Sequence, residues 1–456
     1  MTCTIASVMK IPLPSLIERV RGSLWFVPAI MTLASISLAF LLIWADHKFS
    51  AEVIRTLGWT YSGGPEGARE VLATIAASMI TVAGVVFSVT VVALSLASQQ
   101  FGPRMLRNFM QDRGNQIVLG TFIATFIFCL LVLRTVRGTD GSSFVPHIAV
   151  TTGVLLAMAS LGVLIFFIHH VSLSIQAEQV IGEIAAELDR IIENIYPQDL
   201  DGGEADSVFD HHPELFGEGS AVVRSEGSGF IQAINAGRLT RLAREHGVVV
   251  RLKVRPGQFL FPGSELAEVS DGAGVDASFE RKARESVVLG RSRTPTQDIL
   301  FPIDQLVEIA VRSLSPSVND PFTAVSALYR LGSALSRLTT KRTPSPMHFD
   351  EEDQLCVIAP HPSFEELVNA ALEQIRLEGR SKPFVMKGLI TTLHAVLNRA
   401  SEPSRRAILL AHAERIRLML AVSIEERADR DELMSYFRER IGGADATADP
   451  LQVAAH

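Results

Sequence analysis

Apolar positions along this chain follow two regimes. Before Ile175 they form long uncharged runs; after it they recur at helix or strand spacing among charged residues. The first run, Leu24–Ala45, has Trp25 and Trp44 at its ends, where interfacial aromatics belong. The second starts at Val71 and stays uncharged through Gln100, then turns basic in FGPRMLRNFMQDR. The third spans Ile117–Leu133 and ends at Arg134; the fourth spans Ile148–Ile168 and ends at His169 and His170. Runs of this length without charge predict transmembrane helices. The second would reach about 40 Å at about 1.5 Å per residue, against a hydrocarbon core of about 30 Å, so it tilts or projects from the bilayer. The first is too long for a signal-peptide core and lacks a small-residue cleavage pattern, so it is an uncleaved span.

The second run is patterned. Thr74, Ser78, Thr81, Ser88, Ser95 and Gln99 fall on one seam at alternating steps of four and three, with Val85 and Val92 filling the gaps. Such a seam faces something other than lipid. It is either the lining of a pore in an oligomer or a close helix-packing face, since Ser, Thr, Ala and Gly favour membrane helix interfaces and Ala73, Ala77 and Gly84 lie nearby. Packing is the commoner use of such residues. The basic elbow that follows reads as an amphipathic helix opened by Pro103, with Arg104, Arg107 and Arg113 meeting lipid phosphate. A gate between membrane and cytoplasm is the sharper reading of that elbow. None of the apolar runs contains an ionisable residue, which argues against a proton relay or an ion-coupled carrier.

Beyond the fourth run the helix is expected to continue. Ala177, Ile181, Ile184, Leu188, Ile191 and Ile195 make a short heptad seam, suited to packing on the protein's own domain. An acidic linker with His211 and His212 lacks a second ligand pair and reads as solvated. AVVRS and FIQAI read as strands, Asn235 caps a helix through His246 closed by Gly247, and VVVRLKV, FLF and LAEV follow, separated by the RPGQ and FPGSE turns. The V-x-V-R-P-G-Q-F-L-F-P-G-S-x-L run resembles a biotinyl/lipoyl-type barrel sandwich, although Lys253 does not sit in a carrier hairpin, so no covalent cofactor is expected. Downstream, Pro302 opens a helix in which Glu308 and Arg312 pair one turn apart, Ser315-Pro316 stops it, and Asp320-Pro321 starts the next. Arg291, Arg293, Gln297, Asp298, Glu308, Asn319 and Asp320 form a candidate polar cluster; capping and core pairing explain most of it without a ligand. QLCVIAP reads as a strand and Ser363–Glu366 as a capping box. Pro383–Arg399 and Arg405–Arg440 read as further helices, with a disordered tail after them.

Composition adds little to this pattern. The 456-residue chain is 48% hydrophobic with net charge −7, which argues against a nucleic-acid partner. Its three cysteines, Cys3, Cys129 and Cys356, match no metal or disulfide spacing. Shared basic residues on the N-terminal segment and the elbow place both termini in the cytoplasm. No HExxH, nucleophile elbow, P-loop or CxxC pair suggests an enzyme.

Three segments carry a family resemblance: FSVTVVALSLASQQFGPRMLRNFMQDRGNQIVLGTFIATF, GSGFIQAINAGRLTRLAREHGVVVRLKVRPGQFLFPGSEL and QDILFPIDQLVEIAVRSLSPSVNDPFTA. They resemble the signature blocks of a bacterial family of predicted membrane proteins, domain of unknown function 2254. The resemblance implies a four-span membrane domain with a cytoplasmic domain; it brings no substrate and no catalytic residues.

The resulting reading is an α-helical integral membrane protein of four transmembrane helices, with an α+β cytoplasmic domain containing a small β-barrel-sandwich-like module. The expected segments are an N-terminal stretch (1–23), the membrane domain (24–175), a connecting helix (176–200) and an acidic linker (201–220). A β module (221–275), a helical domain (276–443) and a tail (444–456) complete the chain. The expected role is a homo-oligomeric, channel-like protein of the bacterial inner membrane, gated by its cytoplasmic domain. The alternative is a membrane-anchored sensor or scaffold. The lipid bilayer and a second copy are the expected partners, with an unidentified cytoplasmic ligand conceivable, no cofactor, no metal and no catalysis.

Overall fold

The computed structural model describes residues 25–48, 61–101, 112–138, 144–174, 176–196, 215–217, 219–272 and 275–442. Lys10, Arg19, Arg21, Arg104, Arg107, His211, His212 and the C-terminal tail lie outside the described residues. The chain divides into two compact units, Met1–Gln176 and Ala177–His456.

The first unit contains α1 (Phe26–Lys48), α2 (Pro65–Phe101), α3 (Arg113–Thr135) and α4 (His147–Ser174), each with a stretch long and apolar enough to cross a membrane. Helix α2 has 37 residues, hence a length of about 55 Å, so it outreaches a bilayer core of about 30 Å. Helix α3 is central: it packs against α1, α2 and α4, and Phe122, Phe128, Cys129 and Val132 on it are fully buried. Hydroxyls help to join the spans. Ser35 Oγ on α1 donates to the Ala124 carbonyl on α3 at 2.6 Å, and Thr125 Oγ1 lies 3.2 Å from Ser160 Oγ of α4. Such bonds contribute about 0.6 kcal/mol each in membrane proteins. Arg113 opens α3 behind its N-cap Asp112, so it belongs to the third span's helix and not to a separate elbow.

The second unit starts with α5 (Ala177–Ile195). Helix α4 ends at Ser174, so two helices stand where the hydrophobic pattern suggests one. Along the α5 seam Ile181, Ile184 and Leu188 are fully enclosed and Ile191 is buried, while Ala177 and Ile195 at its ends are half-buried; Ile192, beside the seam, is enclosed too. Strands and helices then alternate: β1 (Ala221–Arg224), β2 (Gly229–Ile234), α6 (Ala236–His246), β3 (Val250–Leu252), β4 (Phe259–Leu260), β5 (Glu265–Val269), α7 (Ala277–Glu285) and β6 (Val287–Gly290). Asn235 caps α6 through the Arg238 amide at 2.9 Å, and Gly247 closes it in the left-handed region at φ 64. Helices α8 (Leu300–Leu314) and α9 (Pro321–Leu338) follow, then β7 (Met347–Phe349) and β8 (Leu355–Ile358). The chain ends in α10 (Phe364–Glu378), α11 (Pro383–Arg399), α12 (Pro403–Ser423) and α13 (Arg427–Arg440).

The β region differs from the barrel sandwich expected of it. Among the described residues the strands form two open sheets, ordered β1-β5-β3-β8-β7 and β4-β2-β6, and no barrel closes. The reason is local. The RPGQ turn leaves β3 in the first sheet and enters β4 in the second, and FPGSE returns to β5 in the first. The hairpins therefore cross between sheets. The free side of β3 is taken by β8, running parallel with Val250 opposite Val357. Strands β6, β7 and β8 extend the sheets beyond residue 275.

The helices of this unit form a bundle whose two ends can be told apart. Helix α5 runs parallel to α9: Ser326 Oγ donates to Glu178 at 3.0 Å, Arg337 pairs with Asp189 at 3.4 Å, and Lys341 with Glu193 at 3.1 Å. All three contacts share one sequence offset, 148 positions, which keeps the two helices in register. At the end holding the first turns of α5 and α9, Lys382 Nζ donates to Asn319 Oδ1 at 2.6 Å, joining the α8–α9 loop to the α10–α11 loop. At the opposite end, buried Arg405 donates to the Leu338 and Lys341 carbonyls, closing the C-terminus of α9. The β sheets attach there too, since Arg255 pairs with Glu366 in the first turn of α10 at 2.8 Å. The single helix expected over Arg405–Arg440 is two. Ile424 is extended (φ −93, ψ 111) and buried, and the reversal lays α13 on α11, with Tyr436 Oη 2.9 Å from Thr391 Oγ1.

Candidate functional site

The seam of α2 points away from the other three spans. Thr74, Ser78, Thr81, Ser88, Ser95 and Gln99 are all exposed, and Val85 and Val92 are 59% and 56% exposed. The face that packs on α3 and α4 is a different one, carrying Leu72, Ala76, Ala83, Val86 and Ala93. Among the described residues, then, the seam is not a packing face. Ser78 Oγ donates to the Thr74 carbonyl and Thr81 Oγ1 to the Ala77 carbonyl, both at 2.8 Å, so each hydroxyl proton is satisfied one turn back along its own helix. The space beside Gly84 is open. The result is a shallow outward stripe of small side chains and hydroxyl oxygens, repeating every seven residues.

Polar clusters close the two ends of the membrane unit. Asp46, buried at the end of α1, accepts the Ile148 and Ala149 amides at 3.0 Å each and so caps α4. His147 Nδ1 lies 2.6 Å from the Tyr61 carbonyl, and Arg69 donates to the Val136 carbonyl at 2.9 Å. At the other end His170 Nε2 lies 2.5 Å from Asp112 Oδ2, while Asp112 Oδ1 accepts the Gly114 amide. These groups satisfy helix ends and need no ligand to explain them.

The polar set of the second unit separates into three places. Arg293 joins Asp298 at 2.7 Å to Asp304 at 2.5 Å, a partner the sequence spacing did not suggest. Burial pushes the Asp298 carboxyl above its ordinary value, with the Arg293 guanidinium opposing. Gly257 of the RPGQ turn, at φ 90, lies against that carboxylate so closely that a Cβ would collide with it. Gln297 bonds both backbone groups of Ile234 at the end of β2. Two of the recognised sequence blocks therefore meet here, and they meet as structure. Arg291 is exposed beside this cluster. Glu308 pairs with Arg312 at 3.3 Å along α8, as its spacing predicts. Asn319 (φ 47) and Asp320 form the α8–α9 joint, where Asp320 accepts the Phe322 and Thr323 amides. The Thr323 hydroxyl, then these amides, hold the Asp320 carboxyl below its ordinary range.

An open hollow of about 560 Å³ lies between Arg241 and Arg244 of α6 and His348 and Asp350 near β7, with charges of both signs on its rim. Among the described residues, no group of three or more His, Cys, Asp or Glu could hold a metal ion.

Residues 21–395 match the family described as "Predicted membrane protein (DUF2254)". Uncharacterized proteins of Mycobacterium bovis and Mycobacterium tuberculosis are each 30% identical to the chain over 423 residues, covering 92% of it and 79% of their own length. No solved structure matches.

Proposed function

The chain belongs to the DUF2254 family of predicted membrane proteins, and on that premise we propose that it is a homo-oligomeric, channel-like protein of the bacterial inner membrane. In this reading the second spans of several copies face a common axis, and the domain beginning at Ala177 stands on the cytoplasmic side and gates the path. The observation that supports it is the outward direction of the α2 seam. A strict seven-residue repeat is the spacing at which helices wind into a left-handed bundle, the usual hand in membranes. Between Val71 and Leu96 the helix carries no ionisable side chain, so the path is lined by hydroxyls, carbonyls and methyl groups. No catalytic step belongs to this reading.

One observation favours a second reading, a membrane-anchored sensor or scaffold with no permeation activity. The Ser78 and Thr81 hydroxyls are satisfied within their own helix, so the seam can close as a dry contact. One pair of experiments separates the two. Thr81→Cys and Ser88→Cys should each form disulfide-linked oligomers in native membranes, whereas Ala83→Cys, on the inward face, should not. Purified protein in sealed vesicles should then release a small solute. Cross-linked oligomers in vesicles that stay tight would favour the anchor; an uncross-linked monomer would rule out the channel.

A further inference from the structure

The second unit carries an exposed aromatic patch at one end of its helix bundle. Phe322, at the start of α9, is 71% exposed, and its ring lies 4.8 Å from that of Phe384 at the start of α11, itself 45% exposed. Val318 in the α8–α9 loop is 49% exposed, and the exposed Arg380 and the Lys382 amine sit in the adjoining loop. Large apolar rings left in water in this way mark a contact surface.

The fold indicates which contact. Helix α5 begins at Ala177, directly after the segment that ends the last span, and runs parallel to α9. Glu178, in the first turn of α5, meets Ser326, and Phe322 lies one turn before Ser326, on the side from which the chain enters the unit. The aromatic patch thus lies at the end of the bundle that holds the first residues of this unit, which two residues of chain separate from the last apolar helix. Aromatic rings with lysine or arginine beside them are the side chains that settle at a lipid–water boundary, rings among the upper acyl chains and cations at phosphate.

We propose that Phe322 and Phe384, flanked by Arg380 and Lys382, dock this end of the soluble unit into the headgroup layer of the membrane its own spans cross. The docking is independent of whether the protein conducts.

Phe261 supplies the contrast. It is 65% exposed and meets Phe259 edge-on, but it sits in the turn after β4, in the β sheets that attach at the opposite end of the bundle. The test uses the full chain in lipid nanodiscs containing phosphatidylglycerol, with native cysteines replaced and a nitroxide at Phe322→Cys, Phe384→Cys or Phe261→Cys. Labels at 322 and 384 should show an oxygen-to-nickel-chelate accessibility ratio several-fold above that at 261. Equal ratios at all three sites would overturn the proposal. A label at 322 shielded from both reagents would overturn it too, since a protein would then cover the patch. Should a cysteine variant fail to fold, Phe322→Trp with brominated lipid gives the same reading: quenching beyond that of Trp25, Trp44 and Trp59 is expected, and none refutes docking.

Discussion

Gly257 shows how one residue can hold two sequence blocks together. Its φ of 90 lies where side chains are strained, and the Asp298 carboxylate occupies the space a Cβ would need. Gly257→Ala should cost about 2 kcal/mol, read as a lower urea midpoint for the full chain in detergent. His412 ties stability to pH instead. It is buried on α12, and burial first, then Arg415, holds its imidazole below the ordinary 6.5, with Glu373 opposing. The folded state binds the proton less tightly than the unfolded chain, so this contribution to stability is present above pH 6.5 and is lost as pH falls through the lower folded value. Melting temperature should therefore fall between about pH 7.5 and about pH 5.5, and less so in His412→Gln. Neither role was legible in the sequence. RPGQ announces a turn without naming the carboxylate against it, and a lone histidine in a helical run says nothing of its depth.

Helix boundaries are where the sequence spoke most clearly, because caps are local. Asn235, Asp320 and Ser363 each accept the amide their spacing implies, and Ser363 and Glu366 complete a capping box. Asp320→Ala should destabilise the chain by about 1 kcal/mol, measurable by denaturant titration, since it frees the Phe322 and Thr323 amides and the Thr323 hydroxyl. Breaks without a cap residue were not legible. The reversal at Ile424 rests on burial of that side chain against its own unit, a tertiary effect that leaves no proline or glycine behind. The outward seam of α2 is intermediate. Its period is written in the sequence, but its direction depends on which face α3 takes, and that face is chosen by Leu72, Ala83 and Val86.

At the level of the whole molecule, four apolar runs and a charged remainder did announce two bodies, and the division at Gln176 falls where that contrast begins. The second body has its own core, from Ile184 on α5 to Leu393 on α11. A fragment of residues 177–442 should accordingly give a single cooperative melt by circular dichroism, with a mixed helix and strand spectrum. A broad, non-cooperative melt would show that this body needs the spans to fold. What the sequence could not show is the sheet order, because β3 and β8 pair across more than a hundred positions and no short-range signal ties Val250 to Val357.

That pairing bears on how the chain is made. Strand β3 leaves the ribosome with β5 as a neighbour on one flank, while its other flank waits for Leu355–Ile358. At about 5 to 20 residues per second, the wait is roughly 5 to 20 seconds. Through that interval the nascent polypeptide presents a bare strand rim beside a bilayer already receiving its hydrophobic segments. A message cut short before codon 355 should therefore yield product that aggregates and resists extraction from membranes by mild detergent, whereas one ending after residue 442 should be extracted as a dispersed species.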